Sequence, residues 1–129
     1  MPYTPNPHHR SRWHAGTKSQ WVISEQDEVL SFQIANMNCW KTDNVFWGLY
    51  LVNKPEVLGA TPIVGGETQP LYVAKFVGDD LDNWHGYPVA TWIRPWDRPC
   101  INTLTSWLDN GLISRPAFAK LKRSKRCDL

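Results

Sequence analysis

DRPCINTLTSWLDNGLISRPAFAKLKRSKR, residues 97–126, is the segment in which start signals, stop signals, periodicity and charge agree, and it decides the fold class. Asp97 can cap a helix with Pro99 in its first turn. Ile101, Leu104 and Leu108 recur three and four apart, and Asn110-Gly111 supplies a stop, so the spacing predicts an amphipathic helix over about 98–109. Ser114 offers a second cap followed by Arg115 and Pro116, and Ile113 before the cap stands where a hydrophobic staple would meet Phe118. A shorter helix over about 115–124 follows, and the two form a hairpin. Arg115, Lys120, Lys122, Arg123, Lys125 and Arg126 make its second half strongly basic, with no acid before Asp128.

Upstream of the hairpin the pattern is that of strands. Residues 20–24 and 29–35 read as a β-hairpin across the polar Glu25-Gln26-Asp27-Glu28, because Leu30, Phe32 and Ile34 alternate with Ser31 and Gln33. The run Val45-Phe-Trp-Gly-Leu-Tyr-Leu-Val52 is apolar throughout and suits a central strand covered on both faces. Residues 53–69, with Pro55, Gly59, Pro62, Gly65 and Gly66, read as a long loop. Residues 70–77 resume a strand, 78–83 form an acidic turn, and 88–94 form a last strand. The expected architecture is a single α+β domain over 20–129. It has an antiparallel sheet of four to five strands (about 20–94) followed by the two-helix hairpin. The first nineteen residues hold Pro2, Pro5, Pro7, His8, His9 and His14 and few aliphatics, so they read as an extended, flexible basic arm.

A chain of 129 residues fits one core, and 42% hydrophobic with 20% charged residues is ordinary for a protein that folds alone. Eight tryptophans are not ordinary: either the core is aromatic or some indoles face a ligand. The formal charge of +2 conceals an uneven distribution. Residues 1–20 carry three basic side chains and no acid, 21–114 carry five basic against eleven acidic, and 115–129 carry six against one. Basic ends suit a polyanion such as nucleic acid, or else the basic tail lies on the acidic body and neutralises itself there.

Cys39, Cys100 and Cys127 show no Cys-x-x-Cys spacing, which reads as reduced thiols in a cytoplasmic setting. Cys127 stands one place too late for prenylation. No run approaches the roughly eighteen apolar residues of a membrane span, and the basic N-terminus lacks the apolar stretch of a secretory signal, so no membrane partner is expected.

Three functional readings follow. The first is a non-enzymatic nucleic-acid-binding or accessory protein, with Arg115, Lys120, Lys122, Arg123, Lys125 and Arg126 meeting phosphates, assisted by Arg10, Arg12 and Lys18. The second is an enzyme acting on a phosphate-containing substrate, with His85 as proton carrier and Asp80 or Asp82 orienting it. No resident cofactor is expected. If the Asp79, Asp80, Asp82, His85 turn held a metal, its hard oxygen donors would suit Mg²⁺ or Mn²⁺, although the spacing matches no established metal-hydrolase signature. The third is a module whose aromatic surface (Trp84, Tyr87, Trp96) docks a protein partner. Trp92-Ile-Arg-Pro-Trp-Asp-Arg98 interleaves rings with guanidinium groups and could stack nucleobases. The simpler expectation is that Trp92 lies in the core, Trp96 packs on the helical hairpin, and Arg94 and Arg98 pair with carboxylates. The glycine fingerprints of nucleotide binding and the Gly-x-Ser-x-Gly nucleophile motif are absent.

Overall fold

A computed structural model describes all 129 residues. The fold is α+β, with antiparallel sheets and a helical hairpin at the C-terminus. Helix α1 (Glu25–Met37) precedes the main sheet, whose strands are β2 (Lys41–Thr42), β3 (Val45–Leu51), β7 (Val73–Gly78) and β8 (Trp84–Val89), in that order. The short β4 (Pro55–Glu56) turns back on the end of β3. A smaller sheet joins β1 (Gln20–Trp21), β5 (Gly59–Ala60) and β6 (Pro70–Leu71), so the residues expected to form a long loop contribute two short strands. Only Tyr72 separates β6 from β7, and one stretch of chain therefore passes directly from the smaller sheet into the larger. Helices α2 (Ile101–Asp109) and α3 (Arg115–Lys122) close the chain.

Residues 25–37 are a helix, not the second strand of a hairpin. The Ser24 hydroxyl accepts from the Asp27 N–H at 3.1 Å, and Glu25, Asp27 and Glu28 sit in the first turn, where carboxylates complement the helix dipole. The buried positions are Glu28, Ser31, Phe32 and Ala35, a spacing of three and four, whereas Leu30 is 47% exposed. The final strand ends at Val89 rather than Arg94, and α2 begins at Ile101 with Cys100 in the cap position. Asp97 does not cap α2, because it lies in a separate 3₁₀ turn (Pro95–Asp97) and its carboxylate accepts from Lys75. The cap at Ser114 forms as its sequence suggests, with the hydroxyl accepting from the Ala117 N–H at 3.2 Å.

Alternation along the strands gives the sheet two different faces. Register pairs Phe46, Phe76 and Gly86 across β3, β7 and β8 on the face that meets α1. There the Phe32 ring of α1 lies 5.3 Å from Phe76 and 5.7 Å from Phe46, both edge-on, with Trp84 at 5.6 Å. Gly48 and Gly86 flank Phe76, and a Cβ at either position would overlap the Phe76 ring. The opposite face carries Trp47, Lys75 and Tyr87 in one row, with Val73 and Val89 beside them. The C-terminal hairpin covers part of it, since Leu121 of α3 shares a small void with Val73 and Val89. Trp107 of α2 meets Trp40 edge-on at 5.7 Å, and the Trp40 indole N–H donates to Ser106 at 3.2 Å. Trp21, Trp40, Trp47, Trp84 and Trp107 are all buried, so the core is aromatic.

Residues 1–19 offer few aliphatics, yet at least four of their side chains, those of Tyr3, His9, Arg10 and Ser19, reach the body. The Tyr3 ring lies tilted 4.9 Å from Phe32 and edge-on 5.7 Å from Phe76, and its hydroxyl donates to Glu28. Burial and that carboxylate push the Tyr3 hydroxyl well above its ordinary range, so it stays a donor. Arg10 donates twice to the other Glu28 oxygen, at 2.8 and 3.1 Å, and once to the Ile23 carbonyl at 2.7 Å. Glu28 has no solvent exposure, and burial raises its carboxyl above the usual range despite these partners. His9 is buried face to face on Tyr87, 5.1 Å between centroids, with Nδ1 2.8 Å from the Ser19 carbonyl.

Three outcomes follow from this packing. Gly86→Ala is expected to lower unfolding stability by about 1–3 kcal/mol, because Phe76 cannot give way between two strands. Gly16→Ala, in open space, is expected to stay within about 0.5 kcal/mol, and the two urea midpoints measure the difference. Arg10→Ala strands a buried carboxylate and is expected to cost about 3 kcal/mol at neutral pH. Burial holds the His9 imidazole below its ordinary 6.5, so between those two values the unfolded chain binds the extra proton. Stability is therefore expected to fall as pH drops from 6.5, and His9→Gln is expected to flatten that part of the stability–pH curve.

Candidate nucleic-acid interface

The basic segment is fixed to the body, not left dangling. α3 ends where Ser124 adopts φ +57°, a left-handed conformation that turns the chain back on itself. The Lys125 N–H donates to the Lys120 carbonyl at 2.8 Å. Beyond the reversal, Cys127 and Leu129 return to the side of Leu121, and burial pushes the Cys127 thiol up. Lys120 and Lys122 occupy the last turn of α3, where cations complement the helix dipole. Arg98 reaches across from the start of α2 and donates to the Lys122 carbonyl at 3.1 Å and the Ser124 hydroxyl at 2.8 Å. The cations are thus arrayed around a short helix end and a tight turn.

The alternative, that the acidic body neutralises the tail, requires carboxylates in reach. The four ion pairs of the molecule are the Met1 amine with Asp82, Arg10 with Glu28, Lys75 with Asp97, and Arg126 with Asp128 at 3.9 Å. Arg115, Lys120, Lys122, Arg123 and Lys125 are exposed and pair with none, and the partner of Arg126 is its own near neighbour. Of the arm cations, Arg10 is committed to Glu28, while Arg12 and Lys18 remain exposed.

Backbone hydrogen bonds organise the acidic turn. Asp79 accepts from the Asn83 N–H at 2.9 Å and the Leu81 N–H at 2.8 Å, and these bonds hold its carboxyl below the usual range. Asp82, at φ +62°, accepts from the Trp84 indole N–H at 2.7 Å. Asp80 is exposed, and neither it nor His85 takes part in an ion pair. No three His, Cys, Asp or Glu side chains converge on one point. His85 instead lines a cleft of about 470 Å³ with His9, Tyr87, Lys18, Ser19 and Arg94.

The three aromatics read as one surface are separated by burial. Trp84 is in the core, Tyr87 is half-buried beneath His9, and Trp96 is 65% exposed. Trp96 is thus not buried against the hairpin, and Trp92 is half-buried. Arg98 bonds a carbonyl and a hydroxyl where a carboxylate was expected. Two groups had no distinguishing sequence signal. Lys75, on an apolar strand, is 8% exposed and donates to the Trp96 carbonyl at 2.7 Å and to Asp97 at 3.3 Å. Cys100 lies at the start of α2 beside Arg98 and Lys122. Burial would raise its thiol, but hydrogen bonds from Thr103, Thr42 and the backbone outweigh that and hold it below the ordinary range. No helix is long and apolar enough to cross a membrane. Comparison with family models, with curated proteins and with solved structures returns no match.

Proposed function

We propose that the protein binds nucleic acid without catalysis, through the cations carried by α3 and the turn that follows it. The observation that carries this reading is the absence of any body carboxylate within ion-pair distance of Arg115, Lys120, Lys122, Arg123 or Lys125. Exposed like charges close together repel one another, and a polyanion relieves that repulsion while releasing its own condensed counterions. The chain reversal at Ser124 supports the reading further, because cations on a fixed turn lose less freedom on meeting phosphates than cations on a mobile tail. Arg12 and Lys18 remain available to extend the contact, whereas Arg10 does not. The contacts are of the phosphate-positioning kind, which supply affinity in place of sequence discrimination.

Binding of fluorescent oligonucleotides, followed by anisotropy between about 50 and 200 mM salt, tests this. Affinity is expected to fall steeply with salt, and Lys120→Ala, Lys122→Ala and Arg123→Ala are each expected to flatten the log–log slope by about one unit. A binding constant indifferent to salt, or slopes unchanged by all three substitutions, would remove the proposal.

A further inference from the structure

Trp96 is exposed in a body that buries most of its other indoles, and its backbone is held firmly. Lys75 rises from the centre of the sheet to bond the Trp96 carbonyl and the Asp97 carboxylate, at 2.7 and 3.3 Å. Two residues on, Arg98 ties the same loop to the end of α3 through the Lys122 carbonyl and Ser124. The ring thus belongs to a loop tied to the sheet through Lys75 and to α3 through Arg98. Its sequence neighbours on either side, Arg94 with Asp97 and Pro95 with Arg98, line two separate grooves. One, of about 470 Å³, is lined by Lys18, His85 and Arg94; the other, of about 360 Å³, by Arg98 and Lys122 over Pro95 and Leu104. Asp97 is the only carboxylate lining either groove, and Lys75 already occupies it. Lys18, Arg94, Arg98 and Lys122 have no carboxylate partner.

A flat exposed ring on a loop whose neighbouring residues line two cation-bearing grooves matches the alternation of a single nucleic-acid strand, in which unpaired bases offer π-faces and flanking phosphates offer charge. A paired duplex does not present those faces without unstacking. The centre of a protein-docking patch is typically depleted of charge, which the neighbours of Trp96 are not. We infer that Trp96 is a base-stacking platform for single-stranded nucleic acid, with the adjoining phosphates in the Arg94 and Arg98–Lys122 grooves. This rests on the nucleic-acid reading above and assigns it a substrate class.

The test compares a thymidine oligomer of about 12 nucleotides with an abasic oligomer of equal length and charge, at about 50 mM salt. The wild-type protein is expected to prefer the thymidine oligomer by roughly 5- to 150-fold for one stacked base. Trp96→Ala is expected to abolish that preference while leaving affinity for the abasic oligomer unchanged, and Trp96→Phe to retain a large part of it. Circular dichroism and the urea midpoint are expected to match wild type for both variants, since the ring is on the surface. Salt-dependent binding with no preference, or a preference that survives in Trp96→Ala, overturns the stacking platform and leaves the phosphate reading standing. Failure to bind either oligomer overturns both and returns Trp96 to the role of a protein-docking residue.

Discussion

The structure depends on the position of one ring. Phe76, on the middle strand of the main sheet, fills a slot left by Gly48 and Gly86 on the strands either side, and it meets Phe32 of α1 and Tyr3 of the N-terminal segment. Removing two side chains from the sheet surface lets the large ring lie low, which brings the α1 backbone close to the sheet at Ser31. The apolar burial concentrated there is a principal favourable term for a fold of this size. The same low profile lets Tyr3 sit beside the ring, and Tyr3 in turn is bonded to the buried Glu28. Helix, sheet and N-terminal segment are consequently joined through a single neighbourhood.

Elements whose signals were local could be read from the sequence. The Ser114-capped second helix of the C-terminal hairpin and the β-branched, aromatic run of β3 carry their own instructions, and both are where the sequence puts them. α1 was not legible by counting apolar residues, because two of its four buried positions are Glu28 and Ser31. Leu30 and Ile34 flank Phe32 in a false alternation, and the true helix signal was Ser24 followed by three acids in the first turn. A polar residue enters an interior only when something distant satisfies it. For Glu28 those partners are Tyr3 and Arg10, eighteen or more residues away, and nothing in either neighbourhood announces the pairing.

The candidate site divides along the same line. The charge of the C-terminal segment is a property of composition and was plain; whether those charges are free depends on distances to carboxylates elsewhere, which only coordinates supply. The aromatic residues between Trp84 and Trp96 looked alike as letters. Strand register turns Trp84 toward α1 and Tyr87 to the opposite face, while Trp96 lies past the end of the last strand, beyond the reach of that alternation. A buried lysine holds the Trp96 loop in place. Lysine on a strand is normally a solvated residue, so its burial had no warning in the chain.

The passage from β6 to β7 through Tyr72 means that the two sheets share a single covalent rail. Gly59 of the smaller sheet also sits directly against Pro88 of β8 in the larger, with no room for a Cβ between them. Tension applied to either ladder is handed straight to the other, and neither can fray without tugging its companion. Such coupling favours opening of the β-region as one unit over fraying strand by strand.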